Sequence, residues 1–200
     1  MRRFSTFDLI MIALMAALGL GTKQLVRPLV SLITIPLAIP GGALAGGFYM
    51  LWLILTKRFV PKFGSGIFFG FAQALVVIIM PFGSHGIFTF FTYSLPGVGV
   101  DIVEIIFRKI KHKLLTSIIE GAIANLIGTT AVSLIIFDMP FQLLAFLLLM
   151  ALFSGNLGGI IAYIIITQIK DPLINEAMLG DTLLEREEKE PQIEVASETS

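Results

Sequence analysis

Three carboxamides stand in stretches too apolar to hydrate them: Gln73 in "FFGFAQALVVIIM", Asn125 in "IIEGAIANLIGTTAV" and Asn156 in "LFSGNLGGIIAY". An amide taken into hydrocarbon without a hydrogen-bond partner is costly, so each must be answered by something. One answer is a bond to a neighbouring helix, typically worth about 0.6 kcal/mol. The other is a shared cavity, in which groups that each donate and accept read the edge of a polar heterocycle. His85, Thr89 and Tyr93 fall where they would complete such a wall, although a single histidine at a membrane edge also serves a purely structural role.

Carboxylates offer the rival chemistry. Asp101 and Glu104 in "YSLPGVGVDIVEIIFRK" would be the working groups of a small membrane enzyme acting on lipid-linked substrates. Glu104, however, precedes Arg108 by four residues, the spacing of an ion pair on one helical face. Asp101 lies deeper, with no second intramembrane carboxylate near its depth to form a shared-proton dyad. Glu120 is placed to neutralise the basic cluster just before it. Neither HExxH nor GxxxxGK[ST] occurs, and the chain has no cysteine for disulfides or thiolate metal sites. The favoured reading is therefore non-catalytic, with no cofactor and no metal.

These side chains need elements to hold them. With 56% hydrophobic and 14% charged residues, the composition is that of an integral membrane protein. Six transmembrane helices are expected at Phe7–Val26, Gly42–Thr56, Gly64–Phe82, Ile87–Phe107, Leu114–Phe137 and Phe141–Ile169, an all-α fold over residues 1–170. The N-terminal run reads as a retained first helix rather than a cleaved signal, because its apolar stretch is long and leads into further spans. Ten of the twelve Lys/Arg in residues 1–170 precede helix 1, lie between helices 2 and 3 or 4 and 5, or follow helix 6. The positive-inside rule then puts both termini in the cytoplasm (N-in/C-in) of a multi-pass plasma-membrane protein. The formal charge of zero hides a segregation, since residues 171–200 carry 2 Lys/Arg against 9 Asp/Glu. Their segment "EREEKEPQIEVASETS" is expected to be a disordered cytoplasmic tail.

The other two cations, Lys23 and Arg27, fall at the outer end of helix 1 beside "RPLVSLITIPLAIPGG". That segment is oily, but Pro36 and Pro40 and its shortness keep it from spanning. It is expected as an apolar outer loop between helices 1 and 2. Such a loop either folds onto the helix ends or forms a lid over an outward-facing pocket.

Small residues recur four apart at Ala13/Ala17, Gly42/Gly46, Gly66/Gly70 and Gly155/Gly159, which lets helix backbones approach closely. The arrangement of "FDLIMIALMAALGLG", the apolar loop with a glycine-rich second helix, the basic 4-to-5 loop and "LFSGNLGGIIAYIIITQI" resembles the substrate-binding S components of energy-coupling factor (ECF) transporters. Within them, "LPGVGVDIVEIIFR" and the final-helix motif look most like the subfamily associated with hydroxymethylpyrimidine or thiamin-like precursors. The likeness covers most of residues 5–180. It implies a membrane-embedded subunit that captures a small vitamin or precursor from outside, with no chemistry of its own and no nucleic-acid partner. It further implies partners, a transmembrane T protein and two cytoplasmic ATPases that supply the energy. The family's helix-1 AxxxA motif, which contacts the T protein, matches Ala13 and Ala17, with Ala16 adding to the surface, and the loop after helix 1 closes over the ligand. One departure bears on the ligand: the subfamily has acidic residues on helix 3, where this chain has Gln73. A cationic ligand loses that partner, and Lys23 and Arg27 suit an anionic or neutral one. The competing reading, an autonomous secondary transporter, predicts an internal repeat, and none is obvious.

Overall fold

A computed structural model describes residues 3–37, 39–80, 86–107, 112–137 and 139–198, the side chains being described as far as Ile169. The described residues form six α-helices: α1 (Thr6–Thr34), α2 (Gly41–Phe59), α3 (Ser65–Ile79), α4 (Thr89–Phe107), α5 (Lys113–Ile135) and α6 (Phe141–Glu198). A single 3-10 turn, Gly86–Phe88, leads into α4. Two compact units can be distinguished, Met1–Tyr163 and Ile164–Ser200. All that follows on packing concerns the first.

Among the described residues, four helical stretches are long and apolar enough to cross a membrane: Thr6–Thr34, Gly86–Phe107, Lys113–Ile135 and Phe141–Ile169. The 15-residue α3 is apolar but shorter, reaching about 22 Å at 1.5 Å per residue against a hydrocarbon core of about 30 Å. α2 is long enough but carries Lys57 and Arg58 in its last turn. The outside of the unit is as oily as its inside, with Phe7, Ile10, Leu14 and Leu18 of α1 and Ile102, Ile105 and Ile106 of α4 all exposed. Such a surface is stable facing lipid and not facing water.

The largest departure from expectation is in α1. Ser5 caps it, accepting from the Asp8 backbone N–H while the Asp8 carboxylate accepts from the Ser5 backbone N–H. The helix then continues eight residues past Val26, through most of the prolyl run that was expected to be loop. Pro28 withholds one N–H, a defect that membrane helices tolerate. The Ser31 and Thr34 hydroxyls donate to the Pro28 and Val30 carbonyls, at 2.7 and 3.1 Å. Only Pro36 and Pro40 act as breakers, and the connection to α2 shrinks to 35–40. α6 likewise runs on through 198, over the segment expected as an acidic tail. A high charge content removes the burial that would fix a segment in a core, but Glu, Lys and Leu remain good helix formers.

Glycines set the helix spacing. A Cβ on Gly70 would fall on the Tyr93 carbonyl, one on Gly97 on the Gly66 carbonyl, and one on Gly47 on the Ser154 carbonyl. Gly155 and Gly159 meet α5 at Gly121 and Ser117 in the same backbone-to-backbone manner. These positions exclude any side chain, as small-residue packing requires.

At the end of the unit that holds the start of α1, ion pairs and the hydrogen bonds around them link helices α1 through α5. Lys57 is fully buried, 2.6 Å from Asp101 Oδ1 and also paired with Glu104. Asp101 accepts from the backbone N–H groups of Gly66 (3.3 Å) and Ile67 (3.1 Å), at the positive end of the α3 dipole. Arg58 reaches Glu120 Oε2 at 2.6 Å and Ser117 Oγ at 3.0 Å, and Lys62 pairs with Asp8. Glu104 meets Lys57 on a neighbouring helix, Glu120 meets Arg58, and Lys57 is a core cation of α2 rather than a loop one. Arg108, expected as the partner of Glu104, and Lys109 and Lys111 of the basic cluster expected beside Glu120 lie outside the described residues.

Candidate functional site

Away from this belt of ion pairs, α1 to α5 enclose a cavity of about 410 Å³, within the range of small-molecule sites. α1 supplies Gly19, Lys23, Arg27, Ser31 and Thr34, which share one face because their spacing of three to four residues matches the helical turn. The helical continuation past Val26 is thus what carries Arg27, Ser31 and Thr34 to the cavity. The connector adds Ile35, Ile39 and Pro40 to the same lining.

Of the eight residues expected to bind substrate, five line the cavity: Lys23, Arg27, Gln73, Tyr93 and Asn125. Two do not join them. Thr89 is buried one turn from the cavity, its carbonyl accepting from the Thr92 hydroxyl. Asn156 is half-buried on α6 and absent from the lining. Helical phase explains it, because Ser154, not Asn156, faces α2 and donates to the Leu44 carbonyl at 2.6 Å. His85 lies outside the described residues. Tyr49, Thr92 and Thr129 line the cavity without having been foreseen. Thr129 follows Asn125 by four residues, a spacing that could have marked it. Tyr49 sits in a helix whose glycines drew attention to packing instead.

The polar groups are held in a definite pattern. The Lys23 ammonium donates to the Tyr93 hydroxyl and lies 4.1 Å from the Tyr93 ring centroid and 5.4 Å from that of Tyr49. Gln73 Nε2 donates to the Ala16 carbonyl at 3.2 Å, and Asn125 Nδ2 to the Ala151 carbonyl at 2.9 Å. Each amide therefore spends one N–H on a neighbouring helix, which fixes the side chain and leaves a second N–H and the oxygen as its remaining functions. Glycines make room for both. A Cβ on Gly46 would fall on the Asn125 amide, and one on Gly19 would come within 2.6 Å of Gln73 Nε2.

On α1, Ala13 and Ala17 are exposed, and so is Gly21. Ala16 is not part of that surface. It is 3% exposed, on the face turned to α3, where its carbonyl holds Gln73. Spacing alone would let the three share one face, and it is the packing of α3 against Ala16 that separates them. Asp101 and Glu104 are bound to Lys57, and neither is part of the cavity lining.

A family model described as ABC-type cobalt transport system, permease component, matches residues 7–127, more than half of the chain and all but the end of the cavity-forming helices. No curated protein and no solved structure matches.

Proposed function

This chain belongs to the family of ABC-type cobalt transport permease components, and from that premise we propose that it is the substrate-capturing subunit of its transport system. Family membership makes it a multi-pass membrane component of an ABC-type system, in which partner ATPases supply the energy. In our reading it is an S component with six spans, both termini in the cytoplasm and a cavity open to the exterior. It captures a small water-soluble vitamin or precursor, hydroxymethylpyrimidine-like in class, and presents it to a T protein and two ATPases. The connector after α1 serves as lid, and the exposed Ala13/Ala17 stripe faces the T protein.

One observation carries this reading: the cavity lined by two cations, two tyrosines and two amides that the surrounding helices hold in place. The family description names cobalt, and a bare divalent cation is poorly matched to that lining. Cobalt favours imidazole and other nitrogen, oxygen or thiolate donors. Among the described residues, no His, Cys, Asp or Glu lines the cavity, and none form a group able to hold a metal. An organic cargo fits the amides and tyrosines better.

The test is a ligand screen on the purified chain in detergent, by thermal unfolding and calorimetry, with thiamin, hydroxymethylpyrimidine, the other water-soluble vitamins and Co²⁺. A vitamin-sized organic compound is expected to bind and to stabilise by about 2.7 kcal/mol at a hundred times its Kd. If only Co²⁺ stabilised the protein, or nothing did, the reading would be wrong.

A further inference from the structure

The cavity has two chemically distinct ends. At one, Lys23 places its ammonium between the Tyr93 and Tyr49 rings, and Arg27 lines the same wall one turn further along α1. The described lining contains no Asp or Glu that would answer a bound cation. At the other, Gln73 and Asn125 each spend one N–H on the Ala16 or Ala151 carbonyl and keep a second N–H and the oxygen. Thr129, four residues from Asn125 on α5, also lines the cavity, and its buried hydroxyl has no hydrogen-bond partner among the described residues. A buried polar group in that state calls for a partner from outside the chain.

We infer that the cavity selects a flat polar molecule that carries an anionic oxygen group, carboxylate or phosphate, and that Lys23 is the residue that reads the anion. This deepens the capture reading and rests on it. The physical argument is one of matching. A half-buried ammonium beside aromatic rings and tied to a neutral hydroxyl has no carboxylate partner among the described cavity residues. An anion brought against it in a poorly hydrated site gains far more than it would in water. A quaternary or protonated heterocycle at the same place is repelled by the same charge. The cargo is therefore an anion rather than the thiamin-like cation of the subfamily that the sequence resembles.

Matched pairs test this on the intact purified protein. Hydroxymethylpyrimidine against its phosphate ester examines the phosphate arm, 4-aminobenzamide against 4-aminobenzoate the carboxylate arm, and thiamin the cation. The anion is expected to bind about 30-fold or more tightly than its neutral partner in at least one arm, and thiamin is expected not to bind, since truncating one side of a buried charge pair typically costs 2–5 kcal/mol. Lys23→Met should bring the anion down to the affinity of the neutral compound while leaving the latter within about threefold, and Lys23→Arg should restore the preference. Thermal unfolding of the ligand-free variants checks that they fold, and the comparison on the unaltered protein needs no variant. Equal or tighter binding of the neutral member in both arms, tight thiamin binding, or an equal loss for both members of a pair in Lys23→Met would overturn the assignment of Lys23. Binding by none of these compounds and by no vitamin would overturn the capture reading, and this inference with it.

Discussion

The ion-pair belt and the cavity both hold basic residues in apolar surroundings, and they treat them in opposite ways. In the belt, Lys57, Arg58 and Lys62 are each met by carboxylates, from Asp101, Glu104, Glu120 and Asp8. In the cavity, Lys23 is met by a tyrosine hydroxyl and two ring faces. A buried charge with a full complement of partners has nothing left to offer a ligand, and its role is to fix helices in register. A charge compensated only by neutral groups retains the capacity to recognise. Position along the sequence does not distinguish the two kinds of cation; the partners that folding brings do.

The most severe way to break the belt is Lys57→Met. It leaves Asp101 and Glu104 facing each other without their cation, and removing one member of a buried pair typically costs about 3–5 kcal/mol. Thermal unfolding in detergent should show a large loss of stability, and a midpoint unchanged from the parent would mean that the belt is not a structural clamp. Gly47→Val attacks the packing that both regions share. Its Cβ would overlap the Ser154 carbonyl, and its backbone N–H gives Ser154 Oγ a 3.0 Å bond that depends on close approach. Overpacking of this kind costs about 1–3 kcal/mol, read by the same measurement.

The comparison sharpens with Lys23→Met. No carboxylate among the described cavity residues is orphaned by it, so the stability loss should be no more than about 1–2 kcal/mol, the worth of a hydrogen bond and ring contacts. A loss as large as that of Lys57→Met would erase the distinction between the two cations. Asn125→Leu should cost still less stability, about 0.6 kcal/mol for an interhelical bond in a membrane protein. It should nonetheless abolish ligand stabilisation, because an amide that lines the cavity is lost. Thermal unfolding with and without ligand separates the two effects.

What the sequence revealed follows from what local chemistry determines. Length and hydropathy located the apolar helices, and the cost of an unpaired amide in hydrocarbon singled out Gln73 and Asn125, both of which line the cavity. Asn156 carried the same signal and faces elsewhere, because polarity marks a need for a partner without naming it. The prolines misled. Pro36 and Pro40 made the whole run read as loop, whereas Lys23, Arg27, Ser31 and Thr34 repeat at helical spacing straight through Pro28. That periodic polar stripe was legible and was the better guide. Ion-pair partners were not legible, since Lys57 and Asp101 are 44 residues apart and only packing of α2 against α4 joins them.

The smallest effect on stability and binding should come from the surface of α1. Ala13 and Ala17 are exposed, and a Cβ on Gly21 would meet nothing within 4 Å, so this stripe packs against no other part of the chain. Tryptophan at Ala13 or Ala17 therefore adds bulk without displacing a neighbour, and surface changes of this sort stay within about 0.5 kcal/mol. The cavity lies on the opposite side of the helix, where Ala16 and Gly19 are buried. Ala13→Trp and Ala17→Trp should thus leave thermal stability and ligand affinity at parental values. In cells expressing the whole transport system, each should abolish uptake if this face seats the T protein, because a large side chain on a surface built for close approach keeps the partner's helices away. Binding lost together with uptake would place the stripe in the capture machinery, and uptake preserved in both variants would move the docking surface elsewhere on the molecule.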